Sequence, residues 1–361
     1  MISLNNYITN ILESQVINEG GSGGHMAHVF NIPWVRTGKD LIKAFDMSVD
    51  YVKDAPASVK IDGVNASVRL VTLDNKKQFV LDRGSNKPLD VKGITKSDLL
   101  DRFGEGHGFL RIGEEVLDIF NSGLAACTPS LKKLGLYDNP NILFNIEYVE
   151  GKTNVKSYNN NFLAIHGLLE ISQVTPKRRG ATEIKYNESD LMDFLNALQP
   201  HASTHGFEVV GSIPTTLSKT PNLNKILNEK ITYTLFGEKM VFTLKDKLNK
   251  LTIPEGSFTT LEGKKVDYIS KNVLQNVLRI IEDGSEITSY CDARDVNKVI
   301  DGFVIYYYTM KAGEEILNSL DSKLGPVGEQ EGIVIRDPSI SDVPYKITGK
   351  FILDGIASDF K

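Results

Sequence analysis

The chain has 361 residues, of which 41% are hydrophobic, the composition of an ordinary globular protein with room for two domains. Two cysteines, Cys127 and Cys291, are too few for a disulfide framework and indicate reduced thiols in a cytoplasmic protein. No apolar run is long enough to span a membrane, and Glu13 interrupts the stretch where a secretion signal would lie, so no membrane partner is expected. A net charge of -5 argues mildly against nucleic-acid binding but allows a local basic groove.

The first 28 residues predict a helix and a connector. Apolar residues within residues 3–18 recur near helical spacing, which indicates an amphipathic helix. The glycine-rich stretch at residues 20–24 then breaks regular structure. His25 and His28 are potential metal ligands and the glycines could cradle a phosphate, but no Gly-Lys-Ser/Thr follows and further ligands are missing nearby. We therefore interpret residues 1–28 as a helix and a flexible connector.

Beyond the connector, β patterns at both ends enclose a helical middle. Alternation and apolar runs predict strands at residues 58–61, 66–70, 78–81, 142–148, 162–169, 331–336 and 345–353. Helical spacing predicts helices at residues 114–126, 188–198, 222–229, 264–282 and 295–320. The pattern indicates an α+β fold with a discontinuous domain, residues 29–171 and 326–361, and a helix-rich insertion at residues 172–325.

Lys60-Ile61-Asp62-Gly63 is the first segment that suggests chemistry. A lysine at a strand end, beside a glycine turn, can point its amine into a cleft while the backbone turns away. To act as a nucleophile the amine must be neutral, which requires burial or a nearby cation. Taken alone, the tetrapeptide favours an ordinary hairpin, because lysine before an Asp-Gly turn is common.

Four later segments supply charged groups. They offer an arginine in a flexible turn, a carboxylate closing a strand, a carboxylate opening a strand, and two lysines on a last strand. These segments are Asp82–Ser85, Asn145–Glu147, Glu331–Arg336 and Tyr345–Lys350. Each by itself is more often a solvated charge at a strand end. Together with Lys60 they supply what nucleotidyl transfer needs: an amine, cations for a triphosphate and two carboxylates for a divalent metal.

In this order the segments resemble the motifs of the covalent nucleotidyltransferase superfamily, which includes ATP-dependent DNA ligases, RNA ligases and mRNA capping enzymes. Residues 60–63 resemble its first motif, Glu147 its third, Glu331-Gly332-Ile333-Val334 its fourth, and Lys346 the lysine of its fifth. Residues 162–167 resemble the strand that stacks a side chain on the purine. The resemblance covers about residues 55–170 and 328–354. It implies an antiparallel-sheet nucleotidyltransferase domain, the ATP-grasp-like adenylation domain of ligases.

The resemblance also implies a reaction. Lys60 attacks the α-phosphate of ATP, which gives lysyl-AMP and pyrophosphate. AMP then passes to the 5′-phosphate of a nucleic-acid end, and a 3′-hydroxyl displaces it. Mg²⁺ is the implied metal, with Glu147 and Glu331 as its carboxylates. The implied nucleotide contacts are Val59, Asn65, Arg83, Glu147, Ile165, His166, Glu331, Lys346 and Lys350.

Departures from the family pattern favour an RNA ligase of the phage type. Many members have an arginine two places after the first-motif glycine, where this chain has Asn65, as some phage RNA ligases do. In the fifth motif, Thr348 stands where a second lysine is usual, which leaves Lys350 as the alternative. The chain ends at Lys361, soon after the fifth motif, so an OB domain typical of DNA ligases is not expected.

We therefore expect a nucleic-acid partner, RNA in preference to DNA. The insertion is the candidate for gripping the strand, through Lys177, Arg178, Arg179, Lys245, Lys247 and Lys250. An insertion that only packs on the catalytic domain is the alternative. At the level of function, the alternatives are a DNA nick-sealing ligase and a catalytically idle nucleotidyltransferase fold that serves as a binding module.

Overall fold

The computed structural model describes residues 26–150, 158–174, 179–321 and 331–350. The helix predicted at residues 3–18 and the histidine at position 25 lie outside them. The strands are β1 (Ala27–His28), β2 (Ala57–Lys60), β3 (Val64–Leu73), β4 (Lys76–Asp82), β5 (Ile142–Val149), β6 (Asn161–Val174), β7 (Arg179–Glu183), β8 (Phe207–Val210), β9 (Pro214–Thr215), β10 (Lys230–Leu235), β11 (Glu238–Thr243), β12 (Ser257–Thr259), β13 (Lys265–Asp267), β14 (Gly332–Ile335) and β15 (Tyr345–Thr348).

The α-helices of the same residues were predicted in part. They are α1 (Gly38–Asp54), α2 (Pro88–Lys92), α3 (Leu99–Phe103), α4 (Phe109–Lys133), α5 (Glu188–Ser203), α6 (Leu223–Leu227), α7 (Leu244–Leu248), α8 (Lys271–Asp283) and α9 (Val296–Leu317). Helix α1 was not predicted, although Thr37 caps it by accepting from Asp40 N at 3.2 Å. The helix predicted at residues 264–282 is too long, since β13 precedes Ser270, the residue that caps α8.

The predicted α+β class is confirmed. Strand pairing is antiparallel except for two parallel pairs among the described strands, β1 with β15 and β6 with β8. Two-residue turns with positive φ join two of the hairpins, as type I′ turns do. Asp74 and Asn75 (φ 48° and 61°) connect β3 to β4, and Phe236 and Gly237 (φ 51° and 78°) connect β10 to β11. No described helix has the length and apolar character of a membrane span.

The described chain forms two compact units whose boundaries differ from those of the predicted domains. The first unit contains the described residues between Ile61 and Ile213, and the second contains residues 26–60, 214–321 and 331–350. Residues 172–325 are therefore divided between the units. The physical reason is that β6 continues to Val174, and β7, β8 and α5 pack with it in the first unit.

A six-stranded sheet is the centre of the first unit, with the order β4-β3-β5-β6-β7 and β8 beside β6. Helices α4 and α5 pack together and cover one face of this sheet. Phe120, Phe144 and Phe194 are fully buried there, and the rings of Phe144 and Phe194 stack at 4.4 Å. Because strand side chains alternate between faces, Asn65, Ser67, Asn145 and Glu147 project from the other face.

A five-stranded sheet with the order β1-β15-β14-β2-β9 is the centre of the second unit. Its inner face carries Ile333, Ile335, Tyr345 and Ile347, which belong to the same buried core as the long helix α9. The apolar inner face fixes the register of the sheet, since a slip of one residue would exchange the two faces. The outer face consequently carries the remaining residues of these strands.

Candidate functional site

The outer face of the five-stranded sheet carries three basic residues, His28, Lys60 and Lys346. His28 is paired with Lys346, Lys346 with Val334, and Val334 with Ser58. In the next row, Thr348 is paired with Gly332, and Gly332 with Lys60. Directly opposed residues of neighbouring strands share a face. We call this surface the lysine face, and its members are His28, Ser58, Lys60, Gly332, Val334, Lys346 and Thr348.

Lys60 and Glu331 form a buried ion pair at the end of the lysine face. The Nζ atom of Lys60 contacts the Oε2 atom of Glu331, and the two side chains are 15% and 3% exposed. The Glu331 N–H also donates to the Lys60 carbonyl at 3.1 Å, which continues the β2–β14 pairing. The sequence motifs had placed both residues in one site, and the structure brings them into contact.

Gly332 keeps the centre of the lysine face open. A Cβ atom on this residue would lie 2.3 Å from the carbonyl oxygen of Ile347 and 3.0 Å from the Cγ2 atom of Thr348. The backbone carbonyl cannot yield to such a contact, so only glycine fits between Lys60 and Thr348. This close approach gives a physical reason for the glycine that follows Glu331.

The two lysines predicted on the last strand have different surroundings. Lys346 lies on the lysine face beside His28. Lys350, by contrast, forms an ion pair with Glu314 of α9, with Nζ 2.9 Å from Oε1. Thr348 has its Oγ1 atom buried without a hydrogen-bond partner among the described residues. Lys346 is thus the lysine that the structure brings to Lys60, and the pair with Glu314 holds Lys350 at α9.

Two further residues of this surface were missed as site residues. Arg336 follows β14, and its Nη1 atom donates to Ser58 Oγ at 3.1 Å, so its guanidinium lies over the lysine face. His28, interpreted above as part of a connector, is instead in β1 beside Lys346. Period-two alternation from Val334 would have indicated Arg336. A two-residue strand such as β1 has no periodicity to detect.

The outer face of the six-stranded sheet, in the first unit, presents a second polar cluster. Glu147 is 8% exposed, and its Oε1 atom accepts from the Gly63 N–H at 2.9 Å. Its Oε2 atom lies 2.9 Å from Nε2 of His166. A Cβ atom on Gly63 would lie 2.7 Å from the Tyr148 carbonyl oxygen, so this position also requires glycine. Asp62 N donates to the Tyr158 hydroxyl at 2.8 Å, a contact that the sequence did not suggest.

A β-bulge decides which side chains of β6 reach this cluster. Ile146 is paired with Ile165 but Asn145 with Gly167, so His166 is the extra residue. A bulge redirects a side chain, and here it places His166 against Glu147. Ile165 is fully buried in the core beneath α4 and α5. The structure therefore corrects the predicted contact of Ile165 with the nucleotide, because the Ile165 side chain projects from the opposite face of the sheet to that of Glu147.

Asn65 and Arg83 lie near each other in the first unit. The Nδ2 atom of Asn65 donates to Asn145 Oδ1 at 3.1 Å, and Arg83 Nη1 donates to the Asn65 carbonyl at 2.6 Å. The guanidinium of Arg83 also lies over the ring of Phe109, with the carbon 4.5 Å from the ring centroid. Burial, and then the neighbouring Arg102, lower the pKa of Arg83. Val59, the remaining predicted contact, is 2% exposed in β2, paired with Ile333.

The predicted metal ligands are each engaged by a protein group. Glu331 contacts Lys60, and Glu147 contacts Gly63 and His166. In the part of the chain that the structure describes, no cluster of three or more histidine, cysteine or acidic residues could hold a metal. Mg²⁺ retains most of its waters and takes one or two carboxylates beside substrate phosphates, so a single carboxylate in each cluster fits that mode.

The lysines proposed for gripping a strand are not equivalent. Lys245 and Lys250 are exposed, whereas Lys247 is 26% exposed and forms an ion pair with Asp301 of α9. Lys177 and Arg178 lie outside the described residues, and of Arg179 only the backbone in β7 is described. Lys247 is therefore held by its own unit, and Lys245 and Lys250 remain as candidates.

Comparisons of the chain with protein-family models, with curated proteins and with solved structures gave no match.

Proposed function

We propose that this protein is an ATP-dependent polynucleotide ligase, acting on RNA, that forms a lysyl-AMP intermediate on Lys60. The observation that carries the proposal is the Lys60–Glu331 pair on a sheet face shared with Lys346. A lysine that is merely structural would be expected at the surface, with a solvated ammonium group. Lys60 is instead largely buried, against a Glu331 side chain that is 3% exposed.

The surroundings of Lys60 suit the chemistry of its amine. Lys60 must lose a proton before it attacks, and Glu331 is the base in contact with Nζ. In the proposed step, Nζ forms a bond to the α-phosphorus of ATP. The bond from that phosphorus to the bridging oxygen breaks, and pyrophosphate leaves. Lys346 and Arg336, as cations over the same face, would neutralise phosphate charge.

Mg²⁺, when bound with the nucleotide, would supply further positive charge at the phosphates. The resemblance implies Glu331 and Glu147 as its carboxylates, and Glu331 is the one that contacts Lys60 in the second unit. For the polar cluster of the first unit we keep the roles that the resemblance implies. Arg83 would contact the ribose or phosphates, and Glu147 the sugar or the metal. Asn65 and His166 would be further nucleotide contacts, His166 from the strand that stacks on the purine, and Ile165 is withdrawn. RNA is preferred as the substrate because of Asn65, as argued from the sequence.

The test is incubation with α-labelled ATP and Mg²⁺, followed by denaturing electrophoresis. The parent protein should retain label, and Lys60→Ala should not. Lys245→Ala, which removes an exposed lysine of the same unit, is the matched control and should label as the parent does. Mass spectrometry should locate the AMP on the peptide that contains Lys60.

Several results would contradict the proposal. Label that persists in Lys60→Ala would exclude Lys60 as the nucleophile. Label from GTP instead of ATP would indicate capping chemistry. Absence of label in the folded parent protein would favour an idle binding module. If lysyl-AMP forms, the two ligase classes are distinguished by comparing the rate at which the protein joins RNA ends with the rate at which it seals nicked DNA.

A further inference from the structure

A cavity of about 400 Å³ lies in the second unit, between strand β10 and the helices α8 and α9. Its volume is within the range of small-molecule sites, about 300–1,000 Å³. It shares no residue with the lysine face. Apolar side chains from all three elements line its interior: Ile231, Tyr233, Leu278, Ile281, Phe303 and Tyr307. The cavity is therefore a second concave site of this unit, and the proposed reaction does not use it.

The aromatic wall of the cavity is already held in place by the protein. The rings of Phe303 and Tyr307, one turn apart on α9, stack with their centroids 5.4 Å apart. The Tyr307 hydroxyl donates to Glu229 Oε2 at 3.0 Å. Glu229 in turn pairs with Lys311, with Nζ 3.7 Å from Oε1. A wall that is fixed in advance binds a planar group at a low cost in conformational entropy.

The cavity opens where α8 ends. Gly284, which lines the cavity, caps α8 in the left-handed conformation with φ 66°. In the described chain, a Cβ atom on Gly284 would meet no atom of a non-neighbouring residue within 4 Å. The space beside this residue is consequently free for a ligand to enter.

The rim of the cavity is cationic. Lys230 and Lys239 line it, both are exposed, and neither has an ion-pair partner among the residues that the structure describes. Lys239 is paired with Thr234, which is four residues, or about 13 Å, along β10 from Lys230. Thr232 and Thr234 add hydroxyl groups between the lysines, and the described residues that line the cavity include no acidic one. An apolar interior with hydroxyl groups and a cationic rim suits a planar aromatic group that carries negative charge, such as a nucleobase with its phosphate.

An exposed aromatic residue stands at the turn between β10 and β11. Phe236 is 72% exposed and has φ 51°, a left-handed conformation that is strained for a bulky residue. Asparagine or glycine is usual at this turn position, and Phe236 gains no burial in return. The next residue, Gly237, donates its N–H to Oε1 of Glu286 at 2.6 Å, two residues beyond Gly284 at the cavity opening. Folding does not explain this phenylalanine, whereas stacking on a ligand would.

We propose that the cavity and Phe236 bind bases of a single nucleic-acid strand. One base enters the cavity against α9, another stacks on Phe236, and Lys230 and Lys239 contact the phosphates. The strand is single because a cavity of this size takes one base and not a base pair. That the strand is the RNA joined by the ligase rests on the proposed function, whereas strand binding itself does not require Lys60.

The test compares two strands of equal charge by fluorescence anisotropy: an oligouridylate of about six nucleotides, and the same ribose-phosphate strand without bases. The parent should bind the oligouridylate at least about tenfold more tightly, since one stacked base contributes roughly that factor. Leu278→Trp, which fills the cavity from the half-buried Leu278, should lower this preference about tenfold. Leu261→Trp is the matched control, because Leu261 is 61% exposed in the same unit and does not line the cavity.

Phe236→Asn separates binding from folding. Asparagine suits the left-handed turn, so the free energy of unfolding should not fall. Binding of the oligouridylate should nevertheless weaken about fivefold or more, because a stacking surface is lost. Leu261→Asn, at another exposed apolar residue, should keep the affinity of the parent. Parent affinity in Phe236→Asn overturns the role of this residue.

The lysines are tested through the salt dependence of binding. Lys230→Gln together with Lys239→Gln should weaken both strands alike and make the slope of log K against log salt concentration shallower by about 1.4. Lys264→Gln together with Lys265→Gln removes two exposed lysines of the same unit and should keep the parent slope. An unchanged slope in the first pair overturns the phosphate contacts.

A free nucleotide offers the same base and phosphate, so uridine monophosphate is the second arm of the test. The oligouridylate should bind at least about tenfold more tightly than the monophosphate, because it also reaches Phe236. Equal affinities would identify a nucleotide pocket and overturn the strand as its occupant.

Equal binding of the two strands by the folded parent overturns the proposal, as does a preference that survives unchanged in Leu278→Trp. If Leu278→Trp does not fold, photocrosslinking of a strand that contains 4-thiouridine decides. Crosslinks should map to residues 230–241, 278–284 or 303–307, and crosslinks confined to other segments overturn the proposal. If the strand binds in this way and no lysyl-AMP forms, the proposed function alone fails. If lysyl-AMP forms on Lys60 and the bases make no difference to binding, the strand site alone fails.

Discussion

The Nζ atom of Lys60 contacts the Oε2 atom of Glu331 across two antiparallel strands, and both side chains are withdrawn from solvent. A buried ion pair loses the hydration of both charges, which offsets most of the attraction between them. Removal of one partner is far more costly than absence of both, because an uncompensated charge remains buried. The pair therefore adds little net stability while making the protein sensitive to either substitution.

Glu331→Gln should slow lysyl-AMP formation on Lys60 by about 100-fold or more, since it removes the base in contact with Nζ. It should also lower the free energy of unfolding by about 3 kcal/mol, because the Lys60 ammonium loses its buried partner. Label incorporation and urea unfolding measure the two effects. Glu255→Gln is the control, because Glu255 pairs with Arg36 at 85% exposure and should change stability by less than about 1 kcal/mol. Formation of lysyl-AMP at the parent rate in Glu331→Gln would remove Glu331 from the mechanism.

Glu147→Gln removes the negative charge of Glu147 in the first unit but keeps an oxygen that can accept the hydrogen bond from Gly63. The amide oxygen can still accept from Gly63 N, so the free energy of unfolding should change by only about 1 kcal/mol. The lost negative charge should slow lysyl-AMP formation by about tenfold or more if Glu147 binds the metal or the sugar. Glu170→Gln is the matched control, because Glu170 lies on β6 and accepts from Asn139 at 3.2 Å. Equal rates in the two variants would make Glu147 a structural residue.

Much of the strand pattern could be predicted because apolar residues alternate in segments such as Ala66–Leu70 and Ile142–Tyr148. The assignment of Ile165 shows where this inference ends. Alternation gives two sets of side chains, but one extra residue at the bulge exchanges the faces. Gly167, with φ 139° inside the strand, is the one local signal of the bulge, and the strand prediction did not use it. Which side chains of β6 face Glu147 is therefore set by the pairing of β6 with β5, and the sequence alone does not identify that pairing.

The position of His28 was unpredictable for a different reason. Strand β1 has two residues, and it exists because β15 offers an edge for pairing. The division of residues 172–325 likewise depends on tertiary pairing, since β6 and β7 are continuous with the first unit. By contrast, the resemblance assigned Lys60 and Glu331 to one site although they lie far apart in sequence, and their direct contact is what the structure adds.

The buried imidazole of His28 predicts a pH dependence of stability. Its pKa falls from 6.5 to about 3 on folding, so below pH 6.5 the unfolded chain binds a proton that the folded chain does not. The stabilising contribution is therefore complete above pH 6.5 and is lost progressively as the pH falls towards 3. Between pH 7 and pH 5 the loss should be about 2 kcal/mol.

Urea unfolding of the parent and of His28→Gln at both pH values measures this effect. The variant, which has no imidazole at this position, should lose about 2 kcal/mol less than the parent over the same interval. Identical slopes for the parent and His28→Gln would show that His28 is not buried in its neutral form.

The last prediction concerns the strand that the proposed ligase joins. Lys245 lies in helix α7 and Lys250 follows it, and both are exposed, whereas Lys247 is held by Asp301. The double variant Lys245→Gln and Lys250→Gln should leave lysyl-AMP formation intact and weaken binding of single-stranded RNA. If both lysines contact phosphates, the slope of log K against log salt concentration should become shallower by about 1.4.

Lys247→Gln is the comparison for the double variant, because removing the Lys247 ammonium should change the stability of the protein and not its binding of RNA. Breaking its ion pair with Asp301 should lower the free energy of unfolding by about 1 kcal/mol, and the salt dependence of RNA binding should keep the slope of the parent. The opposite pattern, with an unchanged slope in the double variant and a shallower one in Lys247→Gln, would show that the Asp301 pair opens for the strand. An unchanged slope in all these variants would mean that residues 244–250 do not bind RNA, which leaves packing as their role.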